Sequence, residues 1–393
     1  MDIGASRLAN VELGQIRAVA EKARNLEKQG KSVIHLEMGE PDFSTPKHIV
    51  QATQQALERG EVHYAPTRGL LQLREDISRK LKDDNNINSD PETDIIVTAG
   101  ASQALLLAFL GHCNPGDEVL IIEPAYIFYR QLARMTGAVP ITIPTSQENN
   151  WVVDPNEIEK ALTPHTKMIL INSPNNPTGA VYPKEVQERI AEIAIQHDLL
   201  VVSDEIYEKI IYQEKGHFSI ASIPGMEKRT ITINGYSKAY AMTGWRLGYI
   251  VSSNDLMIPM LKVQQYSVTC IPTFTQFGAS EAINGDQQCI NDMVDAYRRR
   301  RDIVHKGLLS IDEITCALPE GAFYAFPNIT KFGLTSKEFA EKVLNEAGVA
   351  LVPGSVFSDV GEGFVRLSFA ASEKALMEAI ERMKICLENL VRK

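Results

Sequence analysis

Residues 167–179, "KMILINSPNNPTG", are followed by "PKEVQERIAEIAIQHD" (183–198) and "LLVVSDEIY" (199–207). The outer pieces each hold a short apolar run that stops at a polar corner, the length of a fully buried strand. The middle piece sets Val186, Ile190, Ile193 and Ile195 in a helical pattern. Strand, helix, strand in that order predicts an α/β fold with a mostly parallel sheet covered by helices.

The same grammar recurs on both sides. "DIIVTAGAS" (94–102) leads into the helical "SQALLLAFLGHC", and "EVLIIEPAY" (118–126), "TITINGYSK" (230–238) and "RLGYIVS" (246–252) are further buried runs. Ligands of such sheets bind beyond the carboxyl ends of the strands. The pattern therefore predicts that Ser102, Tyr126, Asn176, Asp204, Tyr207 and Lys238 meet at one site.

Past residue 285 the pattern changes to helices at about 287–308, 336–347 and 372–391, with the short β-like runs "AFYAF" and "GFVRLSFA" among them. This predicts a smaller α+β domain over 286–393. It would be joined by an N-terminal arm and segment, 1–45, with a helix over 15–29. Residues 46–285 would form the large domain. A chain of 393 residues exceeds the usual single core, which also favours two domains.

Composition narrows the function. Hydrophobic residues at 44% and charged residues at 23% are globular values, and a net charge of −10 speaks against a nucleic-acid partner. Arg298 to Arg301 form one basic run, but consecutive positions spread around a helix, and Asp292, Asp295 and Asp302 lie near. A solvated, partly paired helix is expected there. Five scattered cysteines without C-x-x-C suit buried thiols in a reducing compartment. With neither a signal-type apolar start nor a membrane-length apolar run, a soluble, cytoplasmic protein with no metal and no membrane partner is expected.

The strand ends carry the chemistry. "TAGAS" opens a helix whose N–H groups favour an anion, although an ordinary helix cap explains it equally well. Asp204 ends a buried run, so its carboxylate needs strong donors or a cation such as a protonated ring nitrogen. "NSPNNPTG" has two X-Pro bonds, one of which could be cis, and its rigidity would aim the Asn176 amide. Tyr126 offers either packing or a face for a flat ring. Lys238, in "NGYSKAYAMTGWRLGY" (234–249), sits among aromatic and small residues, where an ammonium is disfavoured and a neutral amine can act as nucleophile. Arg246 would be the neighbouring cation and a phosphate ligand. A lysine for an imine, a carboxylate for a ring nitrogen and an anion cradle are what a pyridoxal 5'-phosphate site needs.

Here the sequence resembles a known family. "SKAYAMTGWRLGY", "NSPNNPTG", "SDEIY" and "GEPDFSTP" look like the class I/II aminotransferases of fold type I, in the bacterial branch with aspartate and aromatic aminotransferases. "HYAPTRGLLQLRE", "PEGAFYAF" and "FVRLSFA" extend the likeness over almost the whole chain.

The resemblance implies a ping-pong transfer between an L-amino acid and a 2-oxo acid on pyridoxal 5'-phosphate. Lys238 would be the Schiff-base lysine and general base, and Asp204 would pair with the pyridine nitrogen. Tyr207 and Asn176 would hold the ring hydroxyl oxygen, and Tyr126 would stack on the ring. Ala101, Ser102, Ser237 and Arg246 would hold the phosphate, with Tyr64 reaching it from the partner in a homodimer. Arg366 would take the substrate α-carboxylate with Asn176 and the Gly39 backbone.

The phosphate loop departs from the Gly-Lys that close relatives often carry, with Ala101-Ser102 instead. No motif supplies a basic residue for a second, side-chain carboxylate. Two other readings are a C–S β-lyase on the same fold and a cofactor-sensing regulatory module. The second would need an added DNA-binding domain, for which the sequence before "GEPDFSTP" leaves no room.

Overall fold

The computed structural model describes residues 4–214 and 216–391. Its strands are β1 (Ile34–His35), β2 (Ile95–Thr98), β3 (Glu118–Glu123), β4 (Val139–Pro144), β5 (Thr166–Asn172) and β6 (Leu200–Asp204). They continue with β7 (Thr230–Gly235), β8 (Gly248–Val251), β9 (Tyr324–Ala325), β10 (Val349–Ala350), β11 (Val352–Pro353) and β12 (Val365–Ser368). Seven of them form one sheet in the order β2-β8-β7-β6-β5-β3-β4. All its pairings are parallel except those of β8, which runs antiparallel to β2 and β7.

Both faces of this sheet are apolar because adjacent strand residues point opposite ways. Val119, Ile121, Met168 and Leu170 enter one core, while Leu120, Ile122, Ile169 and Ile171 enter the other. All eight are nearly inaccessible, and each such side chain stabilises the fold by about 1.5–3 kcal/mol over an exposed one. The helices Ala101–His112 and Lys184–Gln196 supply cover on opposite faces.

The sequence pattern did not suggest β4. Its "VPITIP" carries two prolines, which a central strand excludes. It lies at the sheet edge, beside β3 alone, where the lost N–H donors cost least.

The helix expected over 15–29 spans Gln15–Lys28, and the C-terminal helices span Gln288–Leu309, Ser336–Lys342 and Glu373–Val391. β11, β12 and β9 form a three-stranded sheet. β1 pairs in parallel with β10, so the N-terminal segment joins the C-terminal elements.

Two expectations need correction. Arg298 pairs with Asp295 at the surface, but Arg300 and Arg301 are largely covered. Arg300 lies over Phe43 and Tyr297, and Arg301 over Tyr212, so aromatic rings shelter half the run. Among the five unpaired cysteines, Cys316 and Cys386 are buried, but Cys113, Cys270 and Cys289 are only half-buried. Among the described residues, no helix is long and apolar enough to cross a membrane.

Candidate active site

The carboxyl ends of five strands open on one cavity of about 620 Å³. Beyond β2 come Ala101 and Ser102, beyond β3 Tyr126, and beyond β5 Asn176. Asp204 and Tyr207 follow from β6, and Ser237 and Lys238 from β7. Arg246, Gly39 and Arg366 complete the set on its wall. Tyr64 is elsewhere and is 89% exposed.

The helix Ala101–His112 begins at Gly100, whose φ of 78° suits a residue without a side chain. No side chain caps it, which leaves the N–H groups of Ala101 and Ser102, on the cavity wall, suited to an anion. A Cβ on Gly248 would stand 2.7 Å from the Gly100 carbonyl carbon and 2.8 Å from the Ala101 nitrogen. Glycine there lets the strand approach the start of the helix. Arg246 takes a left-handed conformation, φ 54°. It donates to Thr243 O at 2.9 Å and Ala99 O at 3.3 Å, which brings the exposed guanidinium to the same corner.

Asp204 is 3% exposed. Oδ2 accepts from the Tyr129 hydroxyl at 2.8 Å and Oδ1 from the Ile206 N–H at 3.2 Å. Burial outweighs these neutral donors and raises its pKa to about 6. Such a carboxylate is suited to a cationic partner. The Asn172 amide donates to the Asp204 carbonyl at 2.9 Å, while its Oδ1 accepts the Asn176 N–H at 3.0 Å, locking the two strand ends together. The Ser173–Pro174 bond next to them is cis.

Lys238 Nζ donates to Gly39 O at 2.6 Å. Burial pushes its pKa down to about 8, Glu40 opposes the shift, and Arg366 and Arg246 reinforce it. Desolvation is thus the leading cause, with Arg366 ahead of the expected Arg246. The Tyr207 hydroxyl lies 2.8 Å from that of Tyr324, and burial keeps Tyr207 protonated.

Arg366 is 1% exposed. Nη1 donates to Asn176 Oδ1 at 3.0 Å, and Nη2 donates to the Glu37 carbonyl. Its guanidinium lies 4.5 Å from the Tyr324 ring centroid and 5.0 Å from that of Phe357. Sequence reasoning missed Tyr129, Asn172, Tyr324 and Glu37. Tyr129 follows Tyr126 by three residues, one helical turn, and that spacing was the available signal.

A family model described as aminotransferase class I and II matches residues 31–383. The chain is 44% identical to an aspartate aminotransferase of Pyrococcus abyssi and 42% identical to an aromatic-amino-acid aminotransferase 2 of Thermococcus litoralis, over 98% of each chain in both cases. The crystal structure of an aromatic aminotransferase from Pyrococcus horikoshii superposes with a TM-score of 0.90 at 44% identity, covering 93% of this chain and 99% of the other. An aspartate aminotransferase from Thermus thermophilus with maleate gives 0.94 at 39% identity, covering 98% and 100%.

This chain belongs to the class I and II aminotransferases, on the fold type I architecture. It is a pyridoxal 5'-phosphate-dependent transaminase, which exchanges an amino group between an amino acid and a 2-oxo acid. The wall fits that cofactor: a buried carboxylate with only neutral donors, a protonated phenol, a lysine of depressed pKa, and a helix start beside a free-facing arginine.

Proposed function

We propose that Lys238 would hold the cofactor through its amine and, once the substrate's amino group has displaced it there, moves the reacting proton as a free amine, with Asp204 and Arg366 as its two supports. Pyridoxal phosphate supplies an electrophilic carbon and a ring that accepts electron density from the substrate Cα. Arg366 binds the substrate α-carboxylate through its fork of donors, with Asn176 and Gly39 alongside. This orientation sets the Cα–H bond toward Lys238. The Lys238 amine, neutral in a substantial fraction near its pKa of about 8, takes that proton and returns it as general base and acid. Asp204 would hold a proton on the ring nitrogen, and Tyr207 and Asn176 would donate to the ring oxygen. Ala101, Ser102, Ser237 and Arg246 would hold the phosphate, and Tyr126 would cover the ring.

The observation that carries this reading is the meeting of Lys238, Asp204 and buried Arg366 on one cavity. It is tested by mixing the holoenzyme with single amino acids and following the cofactor absorbance. A change that reverses with a 2-oxo acid supports transamination; ammonia and pyruvate released from cystathionine would support C–S cleavage instead. The relatives' names speak for aspartate and aromatic amino acids as the first donors to try, and none speaks for a lyase or a regulator.

A homodimer is the proposed working unit, with Tyr64 reaching the partner's phosphate site. In support, Val62, Tyr64 and Tyr266 are 59%, 89% and 88% exposed, and Val268 is 40% exposed. The Thr273 hydroxyl donates to the His63 carbonyl and draws these two segments together. That much exposed apolar surface marks an association face. Residues 46–285 are proposed as the cofactor-binding body, and 1–45 with 286–393 as the smaller body that carries Arg366. A cytoplasmic location is proposed on the five unpaired thiols, which suit a reducing compartment.

A further inference from the structure

We propose that Arg17 receives the second, side-chain carboxylate of dicarboxylic substrates, an assignment that rests on the transamination reading above. Among the described residues, four cations line the cavity: Arg17, Lys238, Arg246 and Arg366. Three of them hold protein acceptors, and in that reading each has a place on the cofactor or the α-carboxylate. Lys238 donates to Gly39 O, Arg246 to Thr243 O and Ala99 O, and Arg366 to Asn176 and Glu37 O. Arg17 is exposed and has no hydrogen bond or ion pair among the described residues.

The acids on the same wall do not neutralise it. Glu12 accepts from Gln15 Nε2 at 2.8 Å and lies 3.8 Å from Arg134. Glu40 accepts from the Thr243 hydroxyl, and Asp204 from Tyr129. The helix that carries Arg17, Gln15–Lys28, has no acidic residue in its first turn. Among the described residues, Arg17 is therefore the cavity cation that holds no protein acceptor and has no place assigned above, so its fork of donors can take a second carboxylate.

Its setting explains how one site can also take apolar side chains. Leu13 and Phe128 share the wall and are 93% and 40% exposed, and Ile16 precedes Arg17. A long, flexible arginine can fold in toward a carboxylate or keep its charged end in solvent while the apolar surface holds an aromatic group. The α-carboxylate stays with Arg366 in either case. The basic residue that no sequence motif supplied thus comes from the N-terminal helix.

The test uses holoenzyme of the wild type, Arg17→Met and Arg17→Lys. Calorimetry gives the Kd of succinate and of 3-phenylpropanoate, and steady-state assays give KM for aspartate, 2-oxoglutarate and phenylalanine. Arg17→Met is expected to weaken succinate and to raise KM for aspartate and 2-oxoglutarate by about tenfold or more, the worth of one charge-assisted pair. Binding of 3-phenylpropanoate and KM for phenylalanine should stay within about twofold. Arg17→Lys should recover part of the dicarboxylate affinity. Equal losses for both classes, or no loss for either, overturn the assignment. If no amino acid is turned over while succinate binding still depends on Arg17, the transamination reading fails and the carboxylate site stands.

Discussion

The Tyr129 hydroxyl donates to Oδ2 of Asp204 across 2.8 Å, with both side chains shut off from solvent. A hydrogen bond to an ionised acceptor is worth about 1.5–3 kcal/mol. Tyr129→Phe removes it, so Asp204 should ionise about one pH unit higher or more. The acid limb of the kcat profile should move up by the same amount, with a smaller loss at pH 8 than at pH 6. An unmoved acid limb would show that Asp204 does not depend on this donor.

Asp204 also taxes the cofactor-free chain. Its pKa rises from an ordinary 3.8 to about 6 on burial, so the folded state binds that proton more tightly than the unfolded state. The stability contributed by this group is then greatest at low pH and falls as pH rises from about 4 to about 6. Cofactor-free Asp204→Asn should be more stable than wild type by roughly 3 kcal/mol at pH 7, with the gap closing below pH ~4. Denaturant melts at both pH values measure this. The same substitution should weaken cofactor retention, so stability and function pull apart at one residue.

Lys238→Ala should leave no measurable transamination, because among the described residues no other lysine lines the cavity. A substantial residual rate in a thoroughly dialysed preparation would end the proton-transfer role.

Arg366→Ala should raise KM for every carboxylate substrate by about a hundredfold, the loss of a buried bidentate ion pair. The effect should be the same for aspartate and for phenylalanine, which separates Arg366 from Arg17. An unchanged KM removes its assignment.

Gly248→Ala places a methyl group against the backbone of Gly100 and Ala101. Such crowding costs about 1–3 kcal/mol. The start of the helix Ala101–His112 must shift, and cofactor affinity, read by fluorescence titration, should drop severalfold or more. Gly244→Ala, at a position with open space around it, is the matched control.

The sheet was legible because its strands are apolar on both faces and each ends in a marked polar corner, as "LLVVSD" does at Asp204. β4 was not, since its prolines argue against a strand until its edge position is known. Among site residues, those sitting in the polar corners could be read directly. Tyr129 could not, because an aromatic residue at a helix start reads as packing until a carboxylate is found 2.8 Å away. Arg17 was equally hidden. An exposed arginine on an amphipathic helix gains meaning only when its neighbours across the cavity prove to be already paired. The depressed pKa of Lys238 was readable in direction and in its leading cause, desolvation, whereas Arg366, which reinforces it more than Arg246 does, was not named as a cause.

Arg366 reaches across 329 positions of chain to the carbonyl of Glu37, and β1 lies against β10 in the same region. During synthesis the residues of the cofactor cradle, the last of them Arg246, therefore leave the ribosome long before their carboxylate anchor does. Until then the nascent protein holds the amine and the acid without the group that admits a substrate. Closing so distant a contact is slow and comes late in folding. Premature termination before residue 366 would consequently remove both the carboxylate anchor and, with Phe369, Leu376 and Leu387, part of the apolar core shared by Tyr207 and Tyr236.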